Sequence, residues 1–218
     1  MAMAKRALLL FALVGLVFVG TGRADDLFNN LGGIPSGGDS TGSDWGPLGD
    51  SFSTGSSAFD FTSLTVALSG TSSAGTTTAY LLSDSSTAPG SVLEDIGSIP
   101  ESALSGTPGF YALSTSYVLS PDTMYWIVLT SNDNSAAWDW SFDMSGTGVA
   151  GGFFANFQGN GAWVVFPNDN GPYQMEVAGR NEVSEPSSIV LLFAGFTAIL
   201  CVAFGRRSAA LKSVRSAG

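Results

Sequence analysis

The chain has 218 residues, of which 44% are apolar, so one domain of ordinary size with its own core can form. Residues 25–185 contain 18 acidic side chains and one basic side chain, a formal net charge of −17, which repels phosphate and excludes DNA and RNA as partners. There is no histidine, and the one cysteine, Cys201, lies outside this acidic stretch. Ser-His-Asp and Cys-His catalysis and zinc, haem or copper sites are therefore excluded there, and we predict that the protein is not an enzyme.

The first 24 residues have the three parts of a secretory signal peptide. Lys5-Arg6 is followed by 14 apolar or glycine residues at 7–20, and then by Gly22 and Ala24, small residues at alternate positions. This order predicts export through the Sec translocon and cleavage by signal peptidase between Ala24 and Asp25. The alternative is a retained N-terminal anchor, which the short apolar segment disfavours.

A change of composition near residue 50 predicts a flexible leader at 25–49 and a folded domain at 50–180. The leader is rich in Gly, Ser and Asp and has few apolar groups to bury. From residue 50 onwards, short Thr-, Val- and aromatic-rich runs alternate with turn residues, as in antiparallel all-β domains. Strands are predicted at 50–54, 59–68, 77–83, 92–96, 110–114, 124–130, 137–142, 152–157, 162–166 and 173–178.

Two of these strands indicate how the sheets are arranged. Apolar side chains alternate along 64–68, which buries one face of the sheet, whereas 124–129 is apolar almost throughout and should be a central strand covered on both faces. The predicted fold is an antiparallel two-sheet sandwich, jelly-roll-like.

Several phrases of the domain resemble the choice-of-anchor R domain, a module attached to varied surface-anchoring signals. They are DSFSTGS at 50–56, LTV at 64–66, YLLSD at 80–84, APGSVL at 88–93 and LSPDTMYW at 119–126. The resemblance covers about residues 45–180. That family has no assigned catalytic residues, so the resemblance implies a surface location and no active site.

The sequence offers two candidate binding features. Calcium is the one cofactor that suits the available oxygen ligands, with Asn132-Asp133-Asn134 and Asn168-Asp169-Asn170-Gly171 as candidate loops, although both sequences also suit ordinary turns. We predict no other cofactor. The aromatic residues Trp45, Trp138, Trp140 and Trp163 could form a platform for sugar rings, or fill the core of the sandwich.

The tail at 181–218 combines a turn, an apolar run and a basic pair. The turn is Ser184-Glu185-Pro186, and the run at 187–205 has 19 residues without charge. As a helix of 1.5 Å per residue the run spans about 28 Å, which predicts one transmembrane helix. Arg206-Arg207 should stay on the cytoplasmic side, so the acidic domain faces outward.

This tail resembles the PEP-CTERM sorting signal of Gram-negative bacteria, which an exosortase processes. Ser184 stands where the family usually has proline, and the chain continues past the arginines to Gly218. The resemblance implies sorting and cleavage, with Ser184, Glu185, Pro186, Arg206 and Arg207 as the signal. A plain membrane anchor is the alternative.

Together these features predict an exported acidic protein of the cell surface or extracellular matrix, transiently anchored in the inner membrane, with a structural or adhesive role. Its expected partners are the export machinery, an exosortase-like enzyme and extracellular polysaccharide. The alternatives are a carbohydrate-binding module, which needs an exposed aromatic row, and a carboxylate hydrolase, which needs two acids facing one cleft.

Overall fold

The computed structural model describes residues 25–42, 46–158 and 161–181, which form twelve β-strands and two short 3-10 helices. The strands are β1 (Asp25–Asn29), β2 (Gly37–Ser40), β3 (Leu48–Ser53), β4 (Phe59–Gly70), β5 (Thr76–Asp84), β6 (Pro89–Pro100), β7 (Gly109–Leu119), β8 (Met124–Ser131), β9 (Ala136–Trp140), β10 (Phe153–Gln158), β11 (Ala162–Pro167) and β12 (Met175–Asn181). The 3-10 helices are Glu101–Ala103 and Asn168–Asn170. The predicted all-β class is confirmed.

The strands form two antiparallel sheets of six strands each. Five strands of sheet A have the order β1-β12-β4-β9-β2. The sixth, β7, pairs with the edge of β4 that is opposite to β9, since Leu68 pairs with both Trp138 of β9 and Gly109 of β7. Sheet B has the order β11-β10-β3-β8-β5-β6. One apolar core contains buried side chains of both sheets, such as Val66 and Ile127, as in a sandwich.

Strand β4 shows how alternation and a bulge place the core residues. Leu64 and Val66 are fully buried at alternate positions, and Phe61 is buried too, so the inward set shifts by three residues between Phe61 and Leu64. The register with β12 and with β7 is irregular at this point. The neighbouring Gly179 of β12 has no room for a side chain, because a Cβ there would lie 2.0 Å from the carbonyl oxygen of Asp60.

The apolar run at 124–129 is a central strand, as predicted. It lies in β8, between β3 and β5. Ile127 and Leu129 are buried in the core between the sheets, while Trp126 and Val128 are buried in a second apolar cluster with Leu82 and Ala155. This strand is therefore covered on both faces, which explains why its sequence does not alternate.

The structure differs from the prediction of a flexible leader at 25–49. β1 pairs with β12, β2 pairs with β9, and β3 begins at Leu48. Phe28 is fully buried in the core, and the Gln174 side chain donates hydrogen bonds to the carbonyl oxygens of Asn30 and Gly33. Few apolar residues suffice here, because the edges of β12 and β9 provide backbone hydrogen bonds.

Within the described ranges, no helix is long and apolar enough to cross a membrane. The predicted signal peptide at 1–24 and the predicted tail at 181–218, with its transmembrane helix at 187–205, lie outside these ranges except for Asn181.

Candidate functional site

The tryptophans proposed as a sugar platform have different surroundings. Trp138 is fully buried, and its ring stacks on Tyr173 with centroids 4.7 Å apart. Its Nε1 donates to the carbonyl oxygen of Gln174 at 3.0 Å. Trp163 is partly buried and packs edge-on against Phe157 on sheet B, and Trp45 lies outside the described residues. Trp138 therefore fills the core and is unavailable to a ligand.

Trp140 is partly buried against the core and lies at the margin of an apolar patch, which we define as Ile34, Trp140 and Phe142. Ile34 is 83% exposed and Phe142 is 61% exposed, and the Phe142 ring packs edge-on against Trp140 with centroids 5.0 Å apart. The Ser141 hydroxyl donates to the Ile34 carbonyl oxygen at 2.8 Å and holds the two segments together. Exposed apolar patches of this kind are characteristic of binding surfaces.

The loop at 168–171 is a structural turn. Asn168 is buried, and its Nδ2 donates to the carbonyl oxygen of Val149 at 3.2 Å and to Oδ1 of Asp50 at 3.4 Å. Gly171 ends the 3-10 helix with φ of 109°, a conformation that favours glycine. The Asn168 Nδ2 is committed to these partners, while its Oδ1 is buried without a hydrogen-bond partner. The loop connects β11 of sheet B to β12 of sheet A.

The loop at 132–134 contributes to an oxygen cluster, which we define as Ser73, Thr77, Glu101, Ser131 and Asp133. Glu101 is fully buried; its Oε1 accepts from the hydroxyls of Thr77 and Ser131, and its Oε2 accepts from Ser73 at 2.9 Å. The Ser73 hydroxyl is also 3.0 Å from Oδ2 of Asp133. A Cβ on Gly75 would lie within 2.5 Å of both carboxylates, so glycine is needed beside them.

The two carboxyl groups of the oxygen cluster have no cationic neighbour, since Arg180 on β12 is the only basic residue in the described part of the chain. Hydrogen bonding with Glu101, followed by the N–H of Ser135, lowers the pKa of Asp133. Two carboxyls in contact need either a shared proton or a cation. Carboxylate and hydroxyl oxygens suit Ca²⁺, but no group of three or more acidic, histidine or cysteine residues arranged for a metal occurs among the described residues.

Sequence reasoning missed Glu101, because a glutamate after Pro100 in a Ser-rich connection has the signature of an exposed turn. It is buried because the 3-10 helix that it begins joins sheet B to sheet A, between β6 and β7. Its backbone N–H donates to the carbonyl oxygen of Gly75, which fixes the connection against the start of β5.

A second buried carboxyl, Asp50, lies between the sheets. It is fully buried on β3, where Ile127 and Phe154 are its register partners on the two neighbouring strands. Its Oδ2 accepts from the backbone N–H of Tyr173 at 2.7 Å. Burial raises the pKa of Asp50 well above its ordinary value, and the hydrogen bonds from Tyr173 and Asn168 oppose this only in part.

Asp139 is a third buried carboxyl, on the outer face of sheet A. Its Oδ1 accepts from the hydroxyl of Ser69 at 2.8 Å, while its Oδ2 is buried without a hydrogen-bond partner in the described structure. Burial raises the pKa of Asp139 to about 6. Glu101 differs from Asp50 and Asp139 in that it shares a hydrogen-bonding hydroxyl, that of Ser73, with a second acid, Asp133.

Of the residues predicted for signal cleavage and sorting, the structure describes only Asp25; Ala24, Ser184, Glu185, Pro186, Arg206 and Arg207 lie outside the described residues. Asp25 begins β1 and is the register partner of Gly179 on β12. Its Oδ2 accepts from the side-chain amide of Asn181 at 2.7 Å. The first and last described residues therefore lie side by side at one corner of sheet A.

Comparisons with protein-family models, with curated proteins and with solved structures gave no match to this chain.

Proposed function

We propose that this chain is an exported, acidic protein of the cell surface or extracellular matrix, with a structural or adhesive role. In this proposal a signal peptide at 1–24 directs export and is removed before Asp25. A PEP-CTERM-like tail with a transmembrane helix at 187–205 then sorts the protein, and an exosortase-like enzyme processes it near Ser184-Glu185-Pro186. The domain between them is a jelly-roll-like sandwich of the choice-of-anchor R type.

The observation that carries the proposal is the pairing of the two ends of the domain. Asp25 and Asn181 are hydrogen-bonded neighbours, so both chain segments leave the sandwich at one corner. A domain attached in this way can be released at either end without breaking a strand pair in its interior.

The charge of the domain supports the same proposal. With a net charge of −17 over residues 25–185, the domain repels polyanions and favours hydrated, cation-rich surroundings. The seven other basic residues lie in the two terminal segments, where they serve export and topology. Extracellular polymer is therefore a more suitable environment than a nucleic-acid-rich one.

Mapping both ends of the native protein tests the proposal. We expect N-terminal sequencing to begin at Asp25, and intact mass to lack the segment beyond Glu185-Pro186. Arg206→Glu with Arg207→Glu should leave unprocessed protein in the wrong compartment, whereas the control Lys212→Glu with Arg215→Glu, which changes the charge equally, should be processed. Native protein that keeps residues through Gly218 in the inner membrane would show that the tail is a simple anchor.

Carbohydrate binding is a second candidate function, and the exposed apolar patch favours it. Phe142 presents an exposed ring that packs against the partly buried Trp140, and Ile34 is a second exposed apolar residue of the patch, although the aromatic rings do not form an extended row. Co-sedimentation with extracellular polysaccharide should fall on Phe142→Ala and stay unchanged on Val92→Ala, an equally exposed apolar residue on β6. Equal binding by both variants would exclude the patch as a sugar site.

A further inference from the structure

Strand β7 is a long sheet edge without a partner in the described structure. It has 11 residues, and its register partners are all on β4. Alternate residues of such an edge direct backbone N–H and C=O groups away from the sheet, where another strand can pair with them. The strand is exposed at every second position, with Phe110 at 63% and Val118 at 55%.

The other edges are protected by features that β7 lacks. β6 carries Glu94 and Asp95, begins and ends at prolines, and pairs irregularly at three points; β1 begins with two aspartates, and β2 has four residues. β11 is uncharged but has six residues and ends at Pro167. Charges, prolines, bulges and short length all block strand addition. β7 has neither charge nor proline, and one irregularity.

The sequence of β7 is nearly symmetrical about Ser114. In an antiparallel pair of two β7 strands centred there, Tyr111 lies opposite Tyr117 of the second copy, and Phe110 lies opposite Val118. Small side chains meet in the middle, and apolar side chains meet at both ends. The irregularity opposite Thr62 does not interrupt this face, because exposure alternates through it from Phe110 to Val118.

Electrostatics also favour a second copy at this edge. A domain with a net charge of −17 repels its own copies over most of its surface. Asp60 is the acid of β4 that lies beside β7. Its register partners are Val118 of β7 on one side and Arg180 of β12 on the other. The single basic residue of the described domain is thus next to this acid, and repulsion between copies is reduced here.

We propose that two copies of the chain associate through antiparallel pairing of their β7 strands about a two-fold axis at Ser114. The pairing extends sheet A into a continuous twelve-stranded sheet, six strands from each copy. It places Phe110 of each copy against Val118 of the other and covers the exposed apolar side chains of both. This inference does not depend on how the tail is processed.

Cysteine cross-linking tests the two-fold contact in the full chain. In a Cys201→Ser background, Ser114→Cys places two thiols opposite each other at the axis, so mild oxidation of the envelope fraction should give a disulfide-linked dimer. Ser91→Cys is the control, because Ser91 is also exposed but lies on β6. A Ser114 adduct no more abundant than the Ser91 adduct, or one formed with a different protein, would overturn the proposal.

A charge exchange tests the register. Phe110→Lys and Val118→Glu should each weaken the dimer of the purified full chain by roughly two- to thirtyfold, because each change affects two symmetry-related cross-strand pairs. The double variant pairs Lys with Glu across the axis and should recover most of the loss. Sedimentation equilibrium measures the dissociation constant, and circular dichroism checks the fold of each variant. A double variant that dimerises no more tightly than either single variant contradicts the proposed register, and the cross-link does not depend on these variants folding.

Discussion

Replacing Asp50 by asparagine should remove a large part of the fall in stability that rising pH causes in the domain. Asp50 is fully buried between the sheets and has no basic neighbour, and burial raises its pKa well above the ordinary value. In the unfolded chain an aspartate has a pKa of about 3.9. Between the unfolded and the folded pKa the native state therefore holds one proton more than the unfolded state.

The sign and size of the effect follow from this difference in bound protons. The stability that the protonated carboxyl contributes is complete below about pH 3.9 and is lost as pH rises towards the folded pKa. Within that window the free energy of unfolding falls by about 1.4 kcal/mol per pH unit. Asparagine does not titrate, so this part of the slope disappears.

The variant also has a cost that does not depend on pH. The asparagine oxygen can accept from the N–H of Tyr173, but its amide group then faces Nδ2 of Asn168, which is also a donor. If the Asn168 amide rotates, its Oδ1, which has no partner in the natural protein, can accept from the new amide, but the hydrogen bond from Nδ2 to the carbonyl oxygen of Val149 is then lost. One weakened hydrogen bond costs about 0.5–1.5 kcal/mol. The variant should be less stable than the natural protein near pH 4, and this difference should shrink and then change sign as pH rises towards the folded pKa of Asp50.

Urea unfolding followed by tryptophan fluorescence, from pH 4.5 to 7.5, measures these curves. Asp169→Asn is the matched control, because it removes the same charge from an exposed position in the turn at Asn168–Asn170. Asp139 titrates near pH 6 in both proteins, so its contribution cancels when the two curves are compared. An Asp50→Asn curve that stays parallel to that of the control from pH 4.5 to 7.5 would refute the reasoning.

Three further predictions concern other parts of the domain. Millimolar calcium should raise the melting temperature more than a sodium salt of equal ionic strength, and Asp133→Asn should abolish the excess; equal rises would leave only charge screening. Trp138→Ala should lower the free energy of unfolding by about 3–5 kcal/mol, because a buried ring stacked on Tyr173 is lost, while the exposed Phe142→Ala should change it by less than about 0.5 kcal/mol in urea titrations. Asp139→Asn should make the fall in stability between about pH 4 and pH 6 shallower by about 1.4 kcal/mol per pH unit and leave the part due to Asp50, since burial raises the pKa of Asp139 to about 6; an unchanged slope in that interval contradicts this.

All ten strands predicted from the sequence correspond to strands β3 to β12, with ends that differ by a few residues. The prediction succeeded because the residues that alternate along β4, and those that are apolar throughout β8, bury their side chains where the pattern requires. It extended β7 and β6 too little, since both are edge strands whose serine positions face solvent.

β1 and β2 could not be predicted in the same way. Their residues, such as Gly37-Gly38-Asp39, have low strand propensity and little apolar surface. They are strands because β12 and β9 have unpaired edges beside them, and because Phe28 reaches the core from β1. Such a strand depends on partners about a hundred residues or more away in the chain.

The sequence by itself determined the all-β class, the central position of β8 and the strong negative charge, because side-chain periodicity and charge are local properties of the chain. Only the tertiary structure decided which acids are buried, which tryptophan is in the core and which strand is an open edge. Asp50 and Glu101 have the sequence surroundings of exposed acids. Trp138 and Trp140 stand at alternate positions of one strand, so the sequence pattern does not distinguish the fully buried Trp138 from Trp140. Their burial depends on the strands that lie across from them, and the pairing of distant strands is set by the whole fold.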